Sequence, residues 1–342
     1  MKTRDEMAAF ARESLSLPEG LEIDLSPLGN RGSDRTYFRI RWRQERSAIL
    51  VAYDPGRVEN GYFANIAAFL SEIGVPVPRV FRHDPIGCLM VMEDLGSIDL
   101  ESLKSAPWEE RAPLYQKTLA SVHKLHALRA DEFPSVRVRL MDPFGPDLYK
   151  WERDYFRDHF VQGVCGLAID PSFGMELEKE LGGLAARIDS SRPCLVHRDL
   201  QSQNVMVRDG EPFLIDFQGM RFGSLFYDLG SLLCDPYVEF PNGGEEGLLP
   251  FYYNLSKRQE GCAEFQSRFW EASVQRLMQA LGAYGFLGLK RGLTGFLDHV
   301  PTALRKLRGA SAHAATLPRL SDLLARCEAA LRVVPGEQTG KP

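Results

Sequence analysis

Residues 193–219 read PCLVHRDLQSQNVMVRDGEPFLIDFQG. The apolar runs CLV, VMV and FLI alternate with polar stretches, which predicts short strands around a polar loop and one hairpin. His197, Arg198, Asp199, Gln201 and Asn204 crowd into that loop, and Asp216, Phe217 and Gln218 follow the hairpin. A capped turn explains an incidental Asp and Asn, but not this order and spacing between apolar strands. Outward from this island the pattern changes near residue 95. Before it come an amphipathic helix at about 4–16, the β-type runs LEIDLSPL, RTYFRIRW and SAILVAY, a helical NIAAFLSEIG, then RVFRH and CLMVMED. After it, long helical periods dominate, among them WEERAPLYQKTLASVHKLHAL, ELEKELGGLAARID, FQSRFWEASVQRLMQALGAYG and TGFLDHVPTALRKLRG. The expected fold is α+β, with a small β-rich lobe (1–94) and a large helical lobe (95–342) joined near Glu93–Gly96.

The order HRDLxxxN followed by DF resembles the catalytic set of protein kinases, in which the loop Asp accepts the acceptor hydroxyl's proton while Asn and the second Asp hold magnesium. Phosphoryl transfer needs the nucleotide's crowded negative charge neutralised, which hard oxygen ligands do through Mg²⁺. It also needs one carboxylate outside that shell to orient the attacking hydroxyl. The resemblance implies a bilobal protein-kinase-like fold with ATP between the lobes. Asp199 is then the catalytic carboxylate and Asn204 and Asp216 are the Mg²⁺ ligands. Met92, Glu93, Asp94 and Leu95, at the joint, offer backbone hydrogen bonds to adenine. Gly29, Gly32, Ser33 and Arg35 stand between two β-type runs, where such a fold carries its nucleotide-covering loop. On its own that stretch reads as a hairpin turn, since it has neither a full GxGxxG nor a Walker pattern.

The chain departs from protein kinases informatively. No APE follows, and only eleven residues (217–227) separate Asp216 from Asp228, too few for a segment that docks a polypeptide. No protein substrate is expected. The pattern HxDxxxxN, DF, then G…YDL resembles the aminoglycoside phosphotransferase and choline kinase superfamily, whose acceptors are small hydroxyl compounds. Val122-His123-Lys124-Leu125-His126 is similar to its LxxLH helix. Within it, the chain resembles the bacterial anomeric kinases of N-acetylmuramate and N-acetylglucosamine, which serve cell-wall recycling. The likeness runs through Gly32-Ser33-Asp34, Tyr37-Phe38-Arg39, Glu59-Asn60, Gly74, Met92-Glu93-Asp94-Leu95-Gly96, Tyr227-Asp228-Leu229 and Gln275-Arg276. It implies an ATP- and Mg²⁺-dependent sugar 1-kinase. His197 and Asp228 then support the catalytic loop, and Gln201 and Gln218 face the acceptor. Trp151, Glu152 and Tyr155 either border the acceptor pocket or pack in the core. Choline, a thiosugar, homoserine or an aminoglycoside are rival acceptors. A silent nucleotide-binding protein is a further rival, opposed by the presence of Asp199, Asn204 and Asp216 together.

One omission stands out. Apart from Lys2, the first lysine is Lys104, so the strand AILVAYDP lacks the nucleotide-anchoring lysine of kinases, and the position of its partner Glu falls near Phe63. Arg35 can replace that charge by gripping phosphate bidentately. Otherwise Mg²⁺ and backbone amides suffice, and the arginines between Arg31 and Arg46 are a solvated strand face.

With 342 residues, 44% hydrophobic and 25% charged, the chain can bury a sizeable core. A net charge of −5 gives no general attraction to nucleic acid or anionic membrane. No apolar run approaches the roughly 20 residues that span a bilayer, and the N-terminus is charged and amphipathic rather than a signal peptide. A cytoplasmic protein is expected. Six singly spread cysteines without CxxC predict buried thiols, and His123 and His126 read as packing residues.

Overall fold

The computed structural model describes residues 2–29, 35–43, 46–241, 244–314 and 316–333, so Gly32 and Ser33 lie outside the described residues. The strands are β1 (Asp24–Pro27), β2 (Thr36–Trp42), β3 (Arg46–Ala52), β4 (Val80–Asp84), β5 (Leu89–Glu93), β6 (Cys194–Val196), β7 (Val205–Arg208), β8 (Glu211–Leu214) and β9 (Arg221–Gly223). The helices are α1 (Arg4–Ser14), α2 (Phe63–Glu72), α3 (Trp108–Ala127), α4 (Pro146–Tyr155), α5 (Pro171–Asp189), α6 (Leu225–Leu233), α7 (Gly244–Ser256), α8 (Cys262–Gly285), α9 (Val300–His313) and α10 (Pro318–Val333).

Packing divides the chain into two units. Residues 1–142 with 203–221 form the first, and residues 143–202 with 222–342 form the second. This division differs from the expected boundary after residue 94, for a local reason. The β7–β8 hairpin bonds to chain on both sides of that boundary: Val207 N–H donates to Ile98 O, Leu100 N–H to Val205 O, and Leu214 N–H to Pro76 O.

In the first unit an antiparallel sheet runs β1-β2-β3-β5-β4. Central β3 is apolar on both faces because both are covered, so its AILV reads as a continuous run rather than an alternation. Ala48 and Leu50 pack under α1 with Met7, Phe10, Ile40 and Val91. Val51, pointing the other way, faces Phe63 of α2 and Met90 and Met92 of β5. A capping box, Thr3 with Glu6, starts α1. Asp209 and Gly210 close the β7–β8 hairpin with φ of 54° and 73°, the two left-handed residues a tight I′ turn needs.

The second unit is helical. Every residue of α6 is buried, and it crosses α8 at Gly230, where a Cβ would lie 2.9 Å from Ser273 Oγ and 3.0 Å from its Cα. A larger residue there would force the helices apart. Past Tyr155 the helix continues as a π-helical stretch, Phe156–Val164. The expected single helix over TGFLDHVPTALRKLRG is split into a 3₁₀ segment, Thr294–His299, and α9, because Pro301 sits at a helix start where its missing N–H is harmless. Cys194, Cys234 and Cys327 are buried as expected, whereas Cys88 and Cys165 are half-buried and Cys262 is exposed.

Candidate active site

In the first unit, the pairing Val205↔Leu214 and the bond from Ile215 N–H to Asn204 O (3.0 Å) set Asn204 and Asp216 beside each other at the open end of the hairpin. Asp216 is held at φ 62°, an uncommon conformation for a residue with a side chain, and such strain concentrates at working sites. Its Oδ1 accepts from the Arg35 guanidinium and from Gln218 Nε2 (2.9 Å). Burial opposes Arg35's charge, but Asp216 outweighs it and holds the guanidinium above its ordinary range. The following Phe217 is buried and stacks on Phe63 of α2 (centroids 4.4 Å apart), which fixes the segment from behind.

At the joint, the Glu93 N–H is taken by Arg79 O (2.8 Å) and its carboxylate by Arg208 Nη1 (2.7 Å). Arg39 grips the Asp94 carboxylate bidentately (2.7 and 3.0 Å). Burial alone would raise the pKa of Asp94, but the bonds from Arg39, Ser47 and Gly96 prevail and hold it below the usual carboxylate range. The two acidic side chains thus brace the turn. Among the described residues, the Leu95 N–H makes no backbone hydrogen bond. Gly29 lies just past the end of β1, in the segment that leads to β2.

In the second unit, Asp228 of α6 is fully buried and accepts the backbone N–H of His197 (2.7 Å) and of Arg198 (2.8 Å). That pins the loop with Arg198 at φ 78°. Asp199 follows at once. Its Oδ2 meets Arg198 Nη1 at 3.1 Å, and its Oδ1 meets Nη2 of the buried Arg276 at 3.5 Å. Arg276 is itself anchored, donating Nε–H to Ser231 Oγ (2.6 Å) and bonding Gln279. The far end of the loop is tied by Asp235, which accepts from Ser202 N–H (2.7 Å) and Oγ–H (2.5 Å). Gln201, between these ties, turns its N–H onto Asp199 O (2.8 Å).

The other residues considered for the acceptor divide sharply. Glu152 is fully buried, with Oε1 accepting from Tyr227 (2.6 Å) and Oε2 from Gln275 (2.9 Å), and burial lifts its pKa despite those bonds. It is a core brace in this arrangement, with no oxygen turned to solvent. Trp151, 49% exposed, stacks on Tyr155 at 4.8 Å and keeps an open aromatic face. Gln218 is buried against Asp216.

Residues 24–255 match the phosphotransferase enzyme family, APH. The chain belongs to that family. This phosphotransferase is 25% identical over 311 residues to an N-acetylmuramate/N-acetylglucosamine kinase of Pseudomonas aeruginosa, covering 88% of each chain. It is 23% identical over 310 residues to another so named from Neisseria meningitidis serogroup B, covering 89% of this chain and 90% of that one. Among solved structures, a choline/ethanolamine kinase family protein from Mesorhizobium loti aligns with a TM-score of 0.59 at 17% identity, over 94% of this chain and 99% of that one. The gentamicin complex of APH(2")-IIa aligns with a TM-score of 0.58 at 14% identity, over 89% and 97%. The fold is therefore protein-kinase-like, and the phosphotransferase is a kinase for a hydroxyl acceptor. Among its described residues no helix is long and apolar enough to cross a membrane.

Sequence reasoning did not single out Asp235, nor Arg276 as a partner of Asp199. Asp235 had a signal. Two aspartates seven apart in the otherwise apolar LFYDLGSLLCD have no reason to be buried unless each receives hydrogen bonds.

Proposed function

We propose that this kinase transfers the γ-phosphoryl group of ATP, with Mg²⁺, to the anomeric hydroxyl of an N-acetylated amino sugar of the N-acetylmuramate or N-acetylglucosamine type. The charge around Asp199 carries the choice of acceptor. Two guanidiniums, Arg198 and Arg276, flank it, while the nearby carboxylate Glu152 is sealed in the core. A cationic acceptor such as choline or an aminoglycoside would meet repulsion there, and a neutral or anionic sugar would not. The names of the near-full-length relatives point the same way.

The residues present suit magnesium. Asp216 already receives a cationic group on Oδ1, and the hairpin register sets the Asn204 backbone next to it, so its amide oxygen would supply a second hard ligand. Magnesium is commonly held by one or two protein oxygens and completes its shell with water and substrate phosphates. When bound, Mg²⁺ neutralises phosphate charge and polarises the transferring group. Asp199 orients the acceptor hydroxyl and takes its proton. Because an anomeric hydroxyl is more acidic than an ordinary alcohol, orientation carries more of the effect than proton abstraction. The Leu95 N–H and neighbouring backbone from Met92 onward receive adenine, and the open face of Trp151 stacks on the sugar ring. Such a reaction belongs to cytoplasmic peptidoglycan recycling.

Incubation with γ-labelled ATP and N-acetylglucosamine, N-acetylmuramate, choline and an aminoglycoside tests the acceptor. Label is expected on the amino sugars, and preferential labelling of choline or the aminoglycoside would overturn the assignment. Arg35→Ala is expected to weaken ATP and ADP binding about 10–100-fold, the loss of a charge-assisted contact, with adenosine affinity nearly unchanged. Arg35→Lys should recover only part, since an ammonium keeps the charge but not the fork. Calorimetry decides this, and equal ATP affinity in all three proteins would assign the phosphates to metal and backbone amides alone.

A further inference from the structure

In the second unit α10 packs against α5 in an antiparallel register. Glu180 of α5 accepts the backbone N–H groups of Arg319 (3.0 Å) and Leu320 (2.8 Å) at the start of α10. Nearer the start of α5, Glu176 pairs with Arg319 (2.6 Å), and the Arg326 guanidinium lies 4.5 Å from the centre of the Phe173 ring. Each step toward the C-terminus of α10 is therefore a step toward the N-terminus of α5. One residue past Arg326 stands Cys327, fully buried on the face that carries Leu320, Leu323 and Leu324. The segment ahead of α5 begins at Cys165, which ends the π-helical stretch and is fixed there by its N–H on Phe160 O (2.9 Å). The register thus brings together two cysteines 162 residues apart in the chain. Their thiols are hydrogen-bonded to each other, and that bond, followed by burial, holds Cys327 above the ordinary thiol range.

Sulfurs in hydrogen-bond contact lie within a side-chain rotation of bonding distance. Cys165 is half-buried, so solvent reaches this sulfur while Cys327 stays covered. We propose that Cys165 and Cys327 form a reversible disulfide when the protein meets a hydroperoxide, stapling the segment ahead of α5 to α10. The Cys165 sulfur attacks the peroxide, the O–O bond breaks, and water leaves with Cys165 as a sulfenic acid. Cys327 sulfur then attacks the Cys165 sulfur. The S–S bond forms as the S–O bond breaks, and the hydroxide leaves as water with the Cys327 proton. Two thiols are oxidised and one peroxide is reduced to water. A buried second thiol next to the first halts oxidation at the reversible stage, before sulfinic acid forms. A cross-link over so long a stretch of chain also restricts the unfolded state, which makes the oxidised protein the more stable form.

Treatment of the full-length protein with hydrogen peroxide, followed by alkylation in denaturant and mass spectrometry of unreduced peptides, tests this. The expected product is a peptide pair linked through Cys165 and Cys327 that separates with dithiothreitol. Alkylation of Cys327 should fall at least about tenfold in wild type but less than about twofold in Cys165→Ser, because the covered thiol reacts only through its neighbour. In Cys327→Ser, Cys165 should stop at the sulfenic acid and be trapped by dimedone. Oxidised wild type should melt about 5 °C or more above the reduced protein, with no such rise in either serine variant. The proposal is overturned if both thiols stay alkylatable at a peroxide dose that oxidises the exposed Cys262, or if either links to a different cysteine. Equal loss of Cys327 in Cys165→Ser, or a melting point unchanged by the linkage, would also overturn it. Should a serine variant fail to fold, the linkage map and melting of wild type decide the matter under the same outcomes.

Discussion

Replacing Asp199 with alanine is expected to lower kcat by roughly 10²–10⁴-fold while leaving ADP affinity within about twofold. The loop around Asp199 is pinned independently, by Asp228 on the residues before it and by Asp235 on Ser202, so removing one carboxylate leaves the backbone in place. What is lost is the group that orients and deprotonates the acceptor. Arg198 and Arg276 lose one ion-pair partner at the same time. An alanine variant with unchanged kcat would remove Asp199 from the chemistry.

Asp228→Asn is expected to cost about 2–6 kcal/mol of stability. The wild-type carboxylate is fully buried and uses one oxygen for each of two N–H groups, at 2.7 and 2.8 Å. The amide turns one of those acceptors into a donor. One backbone N–H and the new NH₂ then face each other unsatisfied in the core, at about 1–3 kcal/mol for each unsatisfied group. Because the lost bonds hold Arg198 in its left-handed conformation, kcat should fall as well, while ADP affinity is retained. Urea denaturation reads the first effect as a lower midpoint with an unchanged slope. A variant as stable as wild type would show that the loop is held by other contacts.

The parts of this molecule legible in sequence are those fixed by local pattern. The turn Asp209-Gly210 between VMV and FLI announces its hairpin because few other residues tolerate two consecutive positive φ values. AILV of β3 announces a strand covered on both faces. The order of Asp199, Asn204 and Asp216 could be read because all three lie on one short stretch of chain. Long-range partnership could not. Nothing local to Glu152 says that Tyr227 and Gln275 close over it, 75 and 123 residues on, so a carboxylate beside aromatic residues read equally well as an acceptor contact. The pairing of Arg276 with Asp199 spans 77 residues and depends on where α8 runs.

The proposed reaction is phosphoryl transfer to an anomeric oxygen. Phosphorus NMR of a reaction containing the enzyme, Mg²⁺, ATP and N-acetylglucosamine tests it most directly, run beside the methyl glycoside, in which that hydroxyl is blocked. The expected product is a sugar 1-phosphate whose phosphorus couples to the anomeric proton, with no product from the glycoside. A phosphate ester on any other carbon, or equal turnover of the methyl glycoside, would contradict it.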